Sequence, residues 1–339
     1  MIDKLLAFTL DLNRFDAQSR QDVIKLLIKA QNDLNAKMMS TKELTSFNRA
    51  RIARFLKESR EILDGYYASA QQELFTDLDQ VSDIVARNTV KALETQLPPS
   101  LEAKFPTENV FKSMLNDKMI LGAPAQEWWS RLKGDGAFRF SQAVRQGITL
   151  GETNGQIVRR VTDAMELAKR NARSLVQTSV HSVANNARQA TFEANSDVIK
   201  GYRWITALDS VVCEMCIARS DKEWTTDGRP IGHNISFQVP GLHFNDRCIL
   251  TAITKSFKEL GFPEIKEPRR GTRASEDGQV SSKVTFERFL DKKGVKWQDE
   301  TLGKGRAELW RKGVIRLDQL IDGQGKPLTV KQLKERYMK

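Results

Sequence analysis

Between positions 204 and 248 the chain opens as Trp204-Ile205-Thr206-Ala207-Leu208-Asp209 and passes through Cys213-Glu214-Met215-Cys216. It closes as Pro240-Gly241-Leu242-His243-Phe244-Asn245-Asp246-Arg247-Cys248. All three cysteines of the 339 residues lie here. Two thiols separated by two residues can grip one metal ion from a single tight turn. A histidine and a third thiol farther along can close a tetrahedron around Zn²⁺. Tyr202, Trp204, Ile205 and Thr206 have strand composition. Gly228, Pro230, Gly232, Pro240 and Gly241 break up the chain beyond that strand. The expectation is a small, loop-rich α+β unit that buries little by itself and is stapled by metal.

Cys213, Cys216, His243 and Cys248 are the candidate ligands, with Asp246 or His233 as alternatives. Four protein donors leave no open position for water, so the predicted zinc is structural. The competing reading is three small buried thiols beside a hydrogen-bonded histidine. A redox role for the Cys-x-x-Cys pair lacks the surrounding βαβ pattern. His181 lies mid-helix and reads as a packing residue.

Outward from this unit the chain is mainly α. Residues 1–100 read as long helices, with Ile52, Phe55, Leu56, Ile62, Leu63, Tyr66, Tyr67, Ala70 and Leu74 at three- and four-residue steps. An elongated helical arm is expected. Ser40-Thr41-Lys42-Glu43 resembles a capping box, and Leu97-Pro98-Pro99 ends the region. Residues 101–262 form a central domain, helical over 101–197, with the Cys/His knuckle over 198–256. A helix could begin after Pro124, and Gly134-Asp135-Gly136 marks a possible turn. One helix is expected around Gln156–Met165, then a longer, alanine-rich one from about Glu166 to Asn195. Residues 263–285 read as a basic linker or extended arm. Residues 286–339 read as a short helical module, with helices near 286–292, 304–311, 316–322 and 329–338.

The net charge of +11 is uneven. Residues 1–100 carry 14 basic and 14 acidic side chains, whereas residues 251–339 carry 21 against 13. Such an excess favours polyanions such as DNA, although from charge alone a solvated surface is the simpler account. Arg269, Arg270 and Arg273 are the candidate phosphate contacts, as point charges that read no bases. No run of eighteen apolar residues is present, so no membrane span is expected. The N-terminus lacks the pattern of a secretory signal. Three clustered cysteines suit a reducing compartment.

The stretch from about Gly147 to Ala252 resembles the phage Mu F-like family of minor head proteins. The matching features are Gly151-Glu152 before a helix, then His181-Ser182-Val183-Ala184-Asn185-Asn186-Ala187-Arg188 on it. Trp204, Asp209, Cys213 and Cys216 follow, then Pro240, His243, Arg247 and Cys248. Two positions depart from the family pattern: Gln177-Thr178-Ser179 replaces an Arg-Thr-Glu-like triplet, and Asp246 stands where a cysteine is usual. In the tail, Arg273-Ala274-Ser275, Asp277-Gly278-Gln279-Val280 and Leu302-Gly303 through Pro327-Leu328-Thr329 resemble family endings. The resemblance implies a minor structural protein of a tailed-phage head, associated with the portal and the procapsid interior. It implies a role in head morphogenesis and in DNA packaging or ejection. The implied partners are portal protein, major capsid or scaffolding protein, and packaged DNA. The implied location is the virion, with host cytoplasm during assembly. Some members are fused to toxin modules, so ADP-ribosyl transfer or nuclease activity is the enzymatic alternative. Residues 286–339 are too short for most such domains.

Overall fold

A computed structural model describes residues 2–268 and 271–338. It is mainly α, with a small sheet, as the sequence suggests. The first part comprises α1 (Ile2–Met39), α2 (Arg49–Glu94), α3 (Glu108–Asp117), a short hairpin of β1 (Met119–Ile120) and β2 (Ala123–Pro124), α4 (Ala125–Thr149) and α5 (Asn154–Glu193).

α1, α2, α4 and α5 share one core. Leu27 and Leu34 meet Tyr67 and Leu74, Trp129 and Phe140, and Val161, Val176 and Val183 within it. With 38 and 46 residues, α1 and α2 run about 57 and 69 Å. The long helices therefore form, but not as an arm apart from the central domain. Two helices alone leave one side of each apolar stripe wet. Here α4 and α5 cover those stripes, and Ala168, Ala172, Ala184 and Ala187 on α5 are fully buried.

The helix boundaries show where tertiary contacts override local signals. Ser40 forms no capping box: its hydroxyl donates back to the Lys37 carbonyl, and Asn48 caps α2. The Glu43 carboxylate instead accepts the backbone N–H of Asn154. A capping box does form at Thr153 with Gln156. From there α5 continues unbroken for 40 residues, where two helices were expected. Gly134-Asp135-Gly136 is no turn but lies inside α4. A Cβ on Gly136 would run into the Tyr67 hydroxyl, so this glycine allows α2 and α4 to approach closely.

The second part is built on β3 (Ile199–Ile205), α6 (Glu214–Arg219), β4 (Glu223–Thr225), β5 (Pro230–Ile231) and β6 (Ile249–Thr254). The antiparallel order is β5-β4-β3-β6, with Tyr202 opposite both Trp224 and Ala252. Residues 263–285 are not merely a linker. β7 (Thr272–Ser275) and β8 (Gly278–Ser281) pair as a hairpin, for which Asp277-Gly278 was the available signal. Then come α7 (Phe286–Asp291), α8 (Val295–Leu302), α9 (Lys304–Arg311), a 3₁₀ turn at Leu317–Leu320 and α10 (Val330–Tyr337). α8 was not anticipated.

The C-terminal helices do not form a separate module. Phe286, Leu290, Leu302, Leu309, Leu320 and Leu333 share a core with Trp204, Leu208, Cys216, Ile217, Trp224 and Cys248. Arg306 on α9 pairs with Glu214 on α6 at 2.9 Å. The knuckle therefore buries far more than its own length predicts, because residues 286–333 supply its missing wall. A third, smaller core joins Leu93, Leu97 and Phe192 at the bundle end to Ile199, Tyr202 and Ile249 of the sheet.

Candidate metal centre

Cys213 is the N-cap of α6, and its carbonyl accepts the N–H groups of Cys216 and Ile217. That one turn places both thiols on the same side. The loop from Pro240 to Cys248 approaches from the opposite side, held by α5. Thr178 accepts the N–H of Asn245 at 3.0 Å, Ser174 donates to the Asn245 side chain, and Asn185 donates to the Cys248 carbonyl at 3.0 Å.

His243 Nε2 lies 3.0 Å from Cys213 Sγ and 3.3 Å from Cys216 Sγ. A tetrahedral zinc with Zn–S about 2.3 Å and Zn–N about 2.0 Å has an N···S edge of about 3.5 Å. The donors thus form two triangles sharing Cys216: Cys213, Cys216 and His243, and Cys216, Asp246 and Cys248. Either group could hold a metal ion. The His243 Nδ1–H donates to the Phe244 carbonyl at 2.8 Å, which turns Nε2 toward the sulfurs. Cys216 and Cys248 are buried, whereas Cys213 is half-buried.

The protons are already displaced in this cluster. Cys213 is lowered to about 5, first by the thiol proton that Cys216 shares with it and then, against burial, by His243. His243 is raised to about 9 by the Cys213 sulfur. Cys216 is pushed strongly upward as the proton donor of that pair. Burial raises Cys248 to about 11, and the Trp204 indole N–H opposes that shift. That indole nitrogen is buried and has no oxygen or nitrogen acceptor among the described residues. The buried Arg219 guanidinium lies over the Trp204 ring and bonds Met215 and Gln238. Its proton affinity, lowered first by burial, is raised by the nearby sulfurs and Asp246. A donor set of soft sulfurs and one free imidazole nitrogen, with a cation beside it, suits Zn²⁺.

The other candidates separate clearly. His233 uses both ring nitrogens elsewhere, Nε2 at the Glu223 carbonyl and Nδ1 at the Ile235 N–H, and belongs to neither triangle. His181 is buried, with no partner for either nitrogen among the described residues, and burial lowers it to about 4. Arg269 and Arg270 lie outside the described residues. Arg273 is a correction: only 2% exposed, it donates to the carbonyls of Thr206 and Val284 and pairs with Asp221. It fastens the β7–β8 hairpin to the end of β3 and does not face phosphates. Its basic neighbours had suggested a solvated arm, but one inward-facing position in a hairpin reverses that reading.

Several residues quoted only as motif letters prove to be structural ties. Arg247 forms a two-pronged ion pair with Asp209 at 2.8 and 3.0 Å, locking the end of β3 to the cysteine loop. Arg188 is fully buried and donates to Asn185, the residue that holds Cys248. Glu152 pairs with Arg160 just before and within α5. Only the tertiary structure reveals these partners, since each pair spans a chain reversal or a helix turn.

A family model described as phage Mu protein F like protein matches residues 139–251. No curated protein and no solved structure matches the chain. The matched segment contains α5, β3, α6, β4, β5 and all five donors of the two triangles. Over that segment, about a third of the chain, this protein is similar to the phage Mu F-like family.

Proposed function

We propose that this protein is a minor structural component of a tailed-phage head. It acts at the portal and procapsid interior in head morphogenesis and in DNA packaging or ejection, and its place is the virion, after assembly in host cytoplasm. The observation that carries this reading is the family match over 139–251, which coincides with the cysteine loop and the helix that grips it. The fold supports this reading with long packed helices available for protein contacts and a compact knob around the cysteines. A pull-down with portal, scaffolding and major capsid proteins of the same phage tests it. Capture of portal or capsid protein supports the reading, and capture of none of them overturns it.

The cluster's role in this reading is to bind structural Zn²⁺ through Cys213, Cys216, His243 and Cys248. When bound, the ion cross-links α6 to the 240–248 loop. The four protein donors leave no position for a substrate. Elemental analysis of wild type and Cys213→Ser tests this: about one zinc per chain, lost in the variant, is expected. Packaged DNA is proposed to contact the basic segment 251–339, Arg269 and Arg270 included, by point charge alone. Affinity should then fall steeply between low and moderate salt. Salt-independent binding would contradict it.

A further inference from the structure

We infer that Asp246 is the positioning residue of the zinc loop and not one of its ligands, an inference that rests on the metal reading above. Its Oδ2 accepts the backbone N–H groups of Gly241 at 2.8 Å and Leu242 at 3.0 Å. Its Oδ1 accepts the N–H of Cys248 at 2.9 Å and lies 3.6 Å from Cys216 Sγ. A carboxylate oxygen offers about two in-plane lone pairs. Both on Oδ2 are therefore committed to the backbone, and those on Oδ1 accept the Cys248 N–H and the Cys216 thiol.

These bonds determine the loop's shape. Gly241 (φ 113°) and Asn245 (φ 63°) both sit in the left-handed region, so the chain between them reverses sharply. The buried carboxylate ties the start of that reversal to its end. His243 rides on the tied segment, and Cys248 is the residue at which it closes. Asp246 thereby brings an imidazole and a thiol to bear on Cys213 and Cys216 without spending its own charge on the ion. Cys248 is the better fourth donor: its thiol is buried beside Cys216, and its carbonyl is fixed by Asn185 at 3.0 Å.

Co²⁺ titration of the full chain, followed by zinc competition, decides between the roles, because thiolate-to-cobalt charge-transfer intensity counts sulfur ligands. In Asp246→Asn the band positions and intensity should match wild type, while metal affinity falls about 10–100-fold, as when a residue that orients a ligand is lost. Cys248→Ser should lower the charge-transfer intensity from three thiolates to two. A shifted coordination spectrum in Asp246→Asn, with Cys248→Ser unchanged, would make Asp246 the ligand and overturn the inference. If wild type takes up neither Co²⁺ nor Zn²⁺, the metal reading itself fails. The clamp is then judged alone by amide hydrogen exchange in metal-free protein. Exchange at Gly241, Leu242 and Cys248 at least about tenfold faster in Asp246→Ala than in wild type upholds it, and unchanged rates refute it.

Discussion

Replacing Gly136 by alanine tests whether the first hundred residues truly fold into the central domain, because its neighbour Tyr67 comes from α2. An added Cβ would overlap the Tyr67 hydroxyl and stand 3.1 Å from Cζ and 3.4 Å from Cε2. Alanine gains about 1 kcal/mol of helix propensity over glycine. Crowding in a well-packed core costs about 1–3 kcal/mol. Gly136→Ala should therefore destabilise by up to about 2 kcal/mol. Tyr67 is fully buried, and its hydroxyl has no partner among the described residues. Burial raises it to about 12. Tyr67→Phe removes that unpaired hydroxyl and should stabilise by about 1 kcal/mol. In the double variant the overlap disappears, and the ring needs to move only a few tenths of an ångström. The pair should then be coupled favourably by about 2 kcal/mol, well beyond the ~0.5 kcal/mol scatter of independent sites. Urea unfolding followed by helical circular dichroism measures all four corners of the cycle. Additive effects, or destabilisation by Tyr67→Phe, would refute the packing argument.

Other consequences are equally direct. Asn154 donates to the carbonyls of Met38 and Thr41 and accepts the N–H of Leu44, so Asn154→Ala should cost about 2–3 kcal/mol in the same assay. Asp16, whose carboxyl burial raises to about 6 despite Arg20, keeps a proton in the native state that the unfolded chain loses near pH 4. Stability should therefore fall as pH rises from about 4 to about 6. Asp16→Asn should flatten that fall, by at most about 3 kcal/mol, in thermal melts across the window. Arg273→Ala strips Asp221 and two carbonyls of a buried partner, and should cost about 3–5 kcal/mol and expose the β7–β8 hairpin to limited proteolysis. Zinc affinity should weaken as pH drops, because the raised His243 and the thiols must lose protons to bind; calorimetry in two buffers would show the proton release.

What the sequence determined by itself is local or short-range. The apolar steps through Phe55 and Leu74 specify a helix, the paired prolines at 98 and 99 end it, and the aromatic run through Trp204 specifies a strand. The cysteine spacing marks a donor cluster because one helical turn suffices to align Cys213 with Cys216. What the tertiary structure alone decided depends on partners far away in the chain. Gly136 sits in a helix because Tyr67 needs the space, although glycine beside aspartate ordinarily signals a turn. Arg273 turns inward because Thr206, Asp221 and Val284 offer it acceptors, although its neighbours are basic. The cysteine unit acquires its core from Phe286 to Leu333, a wall that no local pattern announces. Apolar periodicity tells a segment that it must be covered, but it does not say by what. That choice belongs to packing, and in this chain packing joined the first hundred residues to α4 and α5 and the last fifty or so to the cysteine cluster.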